Sequence, residues 1–447
     1  QIQTDTTDVT TQLLRRWEIR GSLSFNKMRG FSRLLPIPMR IDQTTMKFNT
    51  NDITLTNAHL HLGKSDFMLN GEINRIRQAM LRGGKLRGNF SLTSDYIDCN
   101  QLMKAMNSGM QYSEQHLATT GQSVMDEESF VTMDTHTLQD SIATATLDTT
   151  DRVFVIPAYL DITLHTNAQK IDFKDAELTN VLGEVIIRDQ SINLSNLKMD
   201  SNIGRGNMTM FYTAKDYSGA SVGFDLDMED VMVEKLIRLY PAIDTLVPML
   251  RSFEGVVDCQ VTATCKMDST MSLELPSLHS ACYLHGENMV LLDGETFTEI
   301  SKTLMFKNKK RNVIDSISVD LAIKDNKIKV FPFLVEMDRY KVAVGGTHNL
   351  DMTFNYHLSV LKSPVPFKLG IDITGNLDDF KYKIVKCRYK DLFKPAKEAE
   401  LDSTRTNVRK EIRESIRNQI KETAPELVSS LSPNHTVTPP EGETNAL

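Results

Sequence analysis

Alternation with a period of two runs through most of the chain. Val222, Phe224, Leu226 and Met228 alternate with Gly223, Asp225, Asp227 and Glu229. Phe354, Tyr356, Leu358 and Val360 alternate with Asn355, His357 and Ser359, and Leu160, Ile162 and Leu164 with Asp161, Thr163 and His165. Val319, Leu321 and Ile323 follow the same rule, as do Leu369, Ile371 and Ile373. Strict alternation over such lengths predicts strands with one apolar and one wet face. Turn signals at Lys324-Asp325-Asn326-Lys327, Arg188-Asp189-Gln190 and Gly345-Gly346 stand between them at hairpin spacing. The pattern predicts a mainly β, largely antiparallel protein.

Helical spacing is confined to three places. Asn100 to Met106 reads as a short helix after Asp98. Residues 231–253 carry Leu236, Leu239, Ile243, Val247 and Leu250 at three- and four-residue spacing, but Pro241 and Pro248 break the run into short pieces. From Pro395 to about Glu422 a charged helix carries Val408, Ile412, Ile416 and Ile420 on a thin stripe. Residues 107–151, rich in Ser, Thr, Gln, Asp and Glu, predict a mobile polar loop, and the end from Ser432 to Leu447 a disordered tail. The expected organisation is therefore 1–106 as a β segment with a short helix, 107–151 as the loop, 152–392 as the β continuation with the helical insert 231–253, and 393–447 as charged helix and tail. A weak repeat supports a modular layout: the strand from Leu86 to Ser94 and the strand from Gly219 to Met228 each run into acids and then a short helix.

At 447 residues the chain is too long for one compact core, a limit that a sheet extended strand by strand escapes. The net charge of -7 argues against nucleic acid and gives no reason for the chain as a whole to lie on an anionic membrane. Cys99, Cys259, Cys265, Cys282 and Cys387 form no CxxC, and Cys259 and Cys265 are expected to pack on one strand face. The chain begins at Gln1 with neither leader nor anchor, and is expected to be a fragment lacking its targeting segment.

Candidate chemistry is sparse. Gly219-Ala-Ser-Val-Gly223 matches a nucleophile elbow in letters, but Ser221 runs into a strand rather than a helix, so a hairpin turn is the expected reason for its glycines. His59-Leu-His61 offers half of a metal site with no third ligand nearby. Gly204-Arg-Gly206 and Gly83-Gly84-Lys85 lack the rest of a phosphate loop and read as turns. Asp225/Asp227 and Asp378/Asp379 read as solvated acids rather than a glycosidase pair. Asp5-Thr6-Thr7, Asp140-Ser141-Ile142 and Asp148-Thr149-Thr150 have the form of Bacteroidetes O-glycosylation sites, a pattern that Ser/Thr-rich loops also produce by chance. No catalytic residue, metal or cofactor is expected.

One resemblance adds a function. The strings Leu284-His-Gly-Glu-Asn-Met-Val-Leu-Leu-Asp-Gly294, Ile317-Ser-Val-Asp-Leu-Ala-Ile-Lys-Asp-Asn326, Val342-Ala-Val-Gly-Gly346 and Ile371-Asp-Ile-Thr-Gly-Asn-Leu-Asp-Asp379 resemble the C-terminal region of AsmA-family proteins, and the stretch from Asp230 to Cys259 looks like Bacteroidetes versions. The family is similar to bridge-like lipid-transfer proteins. The resemblance implies an elongated, highly curved antiparallel sheet forming a taco-like hydrophobic groove, with about 20 strands spanning about 100 Å. It further implies a non-enzymatic periplasmic protein anchored in the inner membrane by a segment absent here. Such a protein would shield phospholipid or other acyl chains between inner and outer membranes, with possible envelope protein partners. An acyl chain gains about 0.8 kcal/mol per buried CH₂, so a uniformly apolar trough would favour it at every point. The expected lining is Leu160, Ile162, Leu164, Val222, Phe224, Leu226, Val319, Leu321, Ile323, Phe354, Tyr356, Leu358, Leu369, Ile371 and Ile373. An envelope scaffold influencing outer-membrane protein targeting, or a secreted β-sandwich adhesin, are the rival expectations.

Overall fold

The computed structural model describes residues 18–32, 35–82, 84–120, 153–239, 250, 253–291, 312–337, 340–351, 353–363, 368–376 and 379–428. Among them the alternating segments form one 22-stranded sheet. Its strands are β1 (Arg20–Phe25), β2 (Met28–Ser32), β3 (Leu35–Ile41), β4 (Thr44–Asn49), β5 (Ile53–Leu62), β6 (Ser65–Asn74), β7 (Leu86–Ser94) and β8 (Ile97–Asp98). After the helix Cys99–Thr120 come β9 (Leu160–Phe173), β10 (Ala176–Arg188), β11 (Ser191–Ser201), β12 (Arg205–Asp216), β13 (Gly219–Met232), β14 (Phe253–Glu254) and β15 (Val256–Asp268). The sheet continues through β16 (His279–Leu291), β17 (Asn312–Lys324), β18 (Lys327–Met337), β19 (Tyr340–Asn349), β20 (Phe354–Lys362), β21 (Leu369–Gly375) and β22 (Phe380–Val385).

From β9 to β22 the strands follow one another as antiparallel neighbours, with β14 a short piece that joins β16 beside β15. Two-residue turns close several of these hairpins, among them the two expected: Arg188 pairs with Ser191 around Asp189 and Gln190, and Lys324 with Lys327 around Asp325 and Asn326. All four central residues have positive φ, the conformation that matches the twist of a tight hairpin. The Gly345-Gly346 expectation fails. Both residues lie inside β19, opposite His357 and Tyr356. A Cβ on Gly346 would stand 2.3 Å from the carbonyl oxygen of Asn355, so close backbone approach is the reason for glycine there.

The one change of direction lies between β7 and β9, which run parallel, Phe90 beside Leu164. A parallel pair needs a crossover, and the helix Cys99–Thr120 begins it. Asp98 caps that helix by accepting the Gln101 backbone N–H at 2.9 Å. The predicted helix ended at Met106, and its continuation to Thr120 takes the start of the stretch expected to be a loop. Residues 121–151 of that stretch lie outside the described residues, as do the three Asp-Ser/Thr sites and the C-terminal tail. A short helix, Ile76–Arg82, was not expected from the pattern. In the insert 231–253, β13 runs on to Met232 and one helix covers Val233–Leu239. Ile243 and Val247 lie outside the described residues.

The charged helix forms as predicted, over Pro395–Thr423, and Ile412, Ile416 and Ile420 are its buried residues. They pack on Ile186, Phe211 and Ala281 of β10, β12 and β16. Those three belong to the face opposite the long apolar series, so the helix lies on the sheet's more polar side.

Candidate functional site

The pairing registers decide which side chains share a face. Ile162 stands opposite Ile187, Ile187 opposite Ile192, Ile192 opposite Tyr212, and Tyr212 opposite Val222. Four residues along β13, Leu226 stands opposite Val261, which continues through Cys282, Leu321, Val330, Gly346, Tyr356 and Ile373. Side chains on one strand return to the same face every second residue. All fifteen residues expected on one lining therefore lie on one face, from β9 to β21. Leu321, Ile323, Ile371 and Ile373 are buried, and Leu160, Ile162, Leu164, Val222, Phe224, Leu226, Val319, Phe354, Tyr356, Leu358 and Leu369 are half-buried. Tyr356 is the polar intruder: burial pushes its phenol up to about 12.

Among the described residues several elements touch this face, including Leu278, which packs with Cys265, Leu321 and Ile323. Leu102 of the helix Cys99–Thr120 packs with Leu164, Leu92 and Met208 near the parallel junction. Residues 153–156 pack on Ile187, Ile192, Met210 and Tyr212, and the Tyr212 hydroxyl donates to the Phe154 carbonyl at 3.1 Å. Leu236, Ile237 and Leu250 pack with Val231, Val257 and Met289. Cys259 and Cys265 are buried on this same face, as expected, and Cys259 meets Cys282 from the next strand. All five cysteines are free thiols.

The opposite face is a charged seat for the C-terminal helix. Arg405, Arg409 and Arg413 recur every four residues and so project from one side of it. Arg409 donates to Asp320 at 2.5 Å and to Gln260 at 3.1 Å, and its guanidinium lies 5.1 Å from the centre of the Tyr283 ring. Arg405 lies 3.6 Å from Asp320 and donates to the Pro332 carbonyl, and Arg413 donates to Asp225 at 2.9 Å. Asn193 on β11 donates to Thr423, and Arg188 bridges Asp161 to Glu426. From Arg405 to Thr423 the helix covers about 27 Å, and the six strand spacings from β18 to β11 come to about 29 Å. The helix is thus a brace laid across the strands. Asp225 was expected in solvent, yet it is half-buried and paired, because a helix covers the wet face. Asp379 is exposed, and Asp378 lies outside the described residues.

A second polar cluster was not anticipated. On β20, His357 and Ser359 face away from the apolar side. His357 Nδ1 is 2.6 Å from Asp372 Oδ1 and its Nε2 is 2.9 Å from Ser359 Oγ. This is the connectivity of a Ser-His-Asp triad, but its surroundings do not suit a nucleophile. The Arg388 N–H donates to His357 Nε2 at 3.2 Å and the Tyr389 N–H to Ser359 Oγ at 3.0 Å. Ser359 is fully buried. The cluster pins the backbone after β22 onto the sheet, and the only sequence signal for it was two polar residues, His357 and Ser359, on the wet side of an alternating strand.

The weaker motifs resolve structurally. Ser221 sits inside β13, and Gly223 makes room for Phe211, whose Cε1 would lie 2.3 Å from an added Cβ. Close packing under the C-terminal helix, rather than a turn, therefore explains the second glycine. Gly204 ends the β11–β12 turn, and Lys85 pairs with Asp189. His61 lies 3.2 Å from Asp42, and no group of three or more His, Cys, Asp or Glu side chains is placed to hold a metal among the described residues. No described helix is long and apolar enough to cross a membrane.

No protein-family model, no curated protein and no solved structure matches the chain.

Proposed function

We propose that this chain is a non-enzymatic, AsmA-like envelope protein whose sheet curves into an apolar trough that shields phospholipid acyl chains passing between inner and outer membranes. The observation that carries this reading is the division of labour between the two faces. Fifteen apolar residues from β9 to β21 share one face, while the long C-terminal helix packs on the other. A soluble sheet ordinarily uses such a helix to cover its apolar face. Here eleven of the fifteen are half-buried, the condition of side chains that line an open surface, while Leu321, Ile323, Ile371 and Ile373 are buried. Acyl chains laid along it would remove that surface from water at about 25 cal/mol per Å², and head groups would stay hydrated at the rim. The described strands belong to one sheet, which favours the trough over a two-sheet adhesin. The periplasmic setting and the membrane partners come from the resemblance to AsmA-family sequences.

Native mass spectrometry of the purified chain, with extraction and identification of lipid, tests the reading. Bound phospholipid is expected. Phe224→Asp and Leu358→Asp should abolish it while the protein stays folded, because an open face lets a carboxylate reach water, and Asn355→Asp on the opposite face should retain it. A lipid-free wild-type chain with a normal melt would refute the trough and favour a scaffold. Unfolding of both Asp variants would point to a closed core, where an unpaired charge costs several kcal/mol.

A further inference from the structure

The chain is acidic overall, with a net charge of -7, yet its cations are not evenly spread. From Phe380 to Lys397 the sequence carries Lys381, Lys383, Lys386, Arg388, Lys390, Lys394 and Lys397 against the single acid Asp391. Two of these cations are engaged, Arg388 with Asp372 and Lys394 with Asp391. Lys381, Lys383, Lys386, Lys390 and Lys397 are all exposed, and among the described residues none of them forms an ion pair.

The same stretch exposes apolar side chains. Tyr382 is 49% and Ile384 60% exposed, the highest figure among the large hydrophobic residues of the described chain. Their partners across the ladder are Ile373 and Ile371, so they extend the apolar face onto the last strand. Lys381 and Lys383 alternate with them and point to the other side. Among the described strands β22 pairs only with β21, which makes it an edge of the described sheet. The segment that follows is held rigidly, since the Arg388 and Tyr389 N–H groups are bonded to His357 and Ser359. The basic side chains are thus presented from a fixed backbone.

We propose that this edge, β22 with residues 386–397, docks on the surface of a bilayer containing anionic phospholipid. Its lysines would meet the phosphates, and Tyr382 and Ile384 would enter the interface. Charge complementarity selects the partner: on an acidic protein this edge presents five exposed lysines without ion pairs among the described residues, and an anionic surface is attracted to it. A tyrosine suits the boundary, because its ring is apolar and its hydroxyl prefers water. Lysines on edge strands also serve to block pairing with other sheets, but a strand guarded for that purpose gains nothing from exposing Tyr382 and Ile384. The proposal stands whether or not acyl chains occupy the apolar face.

The experiment is co-sedimentation of the whole chain with phosphatidylcholine vesicles, with and without phosphatidylglycerol, at low and high salt. Binding is expected only to the vesicles with phosphatidylglycerol and should fall as salt screens the lysines. Each lysine near an anionic surface contributes about five-fold in partitioning. Replacing Lys381, Lys383, Lys386 and Lys390 together by Gln should therefore weaken binding roughly several hundred-fold. The same change at Lys47, Lys198, Lys324 and Lys327, exposed lysines elsewhere on the sheet, should leave it within about two-fold. Tyr382→Ser with Ile384→Ser should weaken binding about ten-fold. Failure of the wild-type chain to bind anionic vesicles overturns the proposal, as does equal loss in the two lysine sets. Self-association of the edge-lysine variant with unchanged vesicle binding also overturns it, and assigns the lysines to edge protection. Lipid recovered by native mass spectrometry does not bear on these outcomes, so the docking edge and the lipid trough can fail separately.

Discussion

Removing the arginines that hold the C-terminal helix to the sheet should multiply the effect of a mutation at Asp320. Asp320 on β17 is only 6% exposed, and two cations answer it, Arg409 at 2.5 Å and Arg405 at 3.6 Å. Arg409→Ala deletes a charge-assisted bond to Asp320, a bond to Gln260 and the contact with the Tyr283 ring. A hydrogen bond to a charged group is worth about 1.5–3 kcal/mol, and Arg405 still answers the carboxylate. The single variant should therefore lose about 2–3 kcal/mol. With Arg405→Ala added, Asp320 is a buried charge without a partner, and breaking such a pair costs about 3–5 kcal/mol. In that double variant, Asp320→Asn removes the stranded charge and should restore about 2 kcal/mol. In the wild-type background, where the arginines offset much of the burial cost, the same substitution should gain less than about 1 kcal/mol at neutral pH. Urea denaturation followed by far-ultraviolet circular dichroism measures all of these, and hydrogen exchange over residues 395–428 reports whether the helix itself has been released. The reasoning fails if Asp320→Asn gains no more in the double variant than in the wild type, or if Arg409→Ala costs less than about 0.5 kcal/mol, the behaviour of an exposed pair.

Two further outcomes follow from the polar face. Burial pushes the Asp320 carboxyl above the usual carboxylate range, outweighing the two arginines. The folded state then holds this proton more tightly than the unfolded chain, so the stability it contributes is full below the ordinary carboxylate value. That contribution is lost as pH rises through the folded value. Asp320→Asn should remove this falling component from a plot of melting temperature against pH, and a difference curve that rises with pH over that window would contradict it. His357→Ala should cost about 2–4 kcal/mol, from the lost bonds and the space left at a site 2% exposed. It should also speed tryptic cleavage after Lys386 and Arg388, and unchanged cleavage there would show that the His357 cluster does not pin that segment.

The sequence by itself determined the strands and their faces, because that information is local. Alternation at Val222 to Met228 or Phe354 to Val360 fixes which side chains share a side however the strands are later arranged. Asp-Asn and Asp-Gln at two-residue turns placed hairpins for the same reason. The stripe Val408, Ile412, Ile416 and Ile420 was likewise enough to define the C-terminal helix and its buried side. What the helix packs against was decided only in three dimensions. Its seat is assembled from Ile186, Phe211 and Ala281, each on a different strand and scattered over almost a hundred residues. Breaks in alternation at Val185-Ile186-Ile187 and Met210-Phe211-Tyr212 marked strands covered on both sides, without saying by what. The same non-locality put Asp225 and Asp320 under arginines rather than in water, and assembled His357, Ser359 and Asp372 with backbone from beyond β22. Whether an acid on the wet side of a strand is solvated depends on which element crosses that face, and the charges and apolar positions that choose it are far apart in sequence and adjacent only when the sheet is complete.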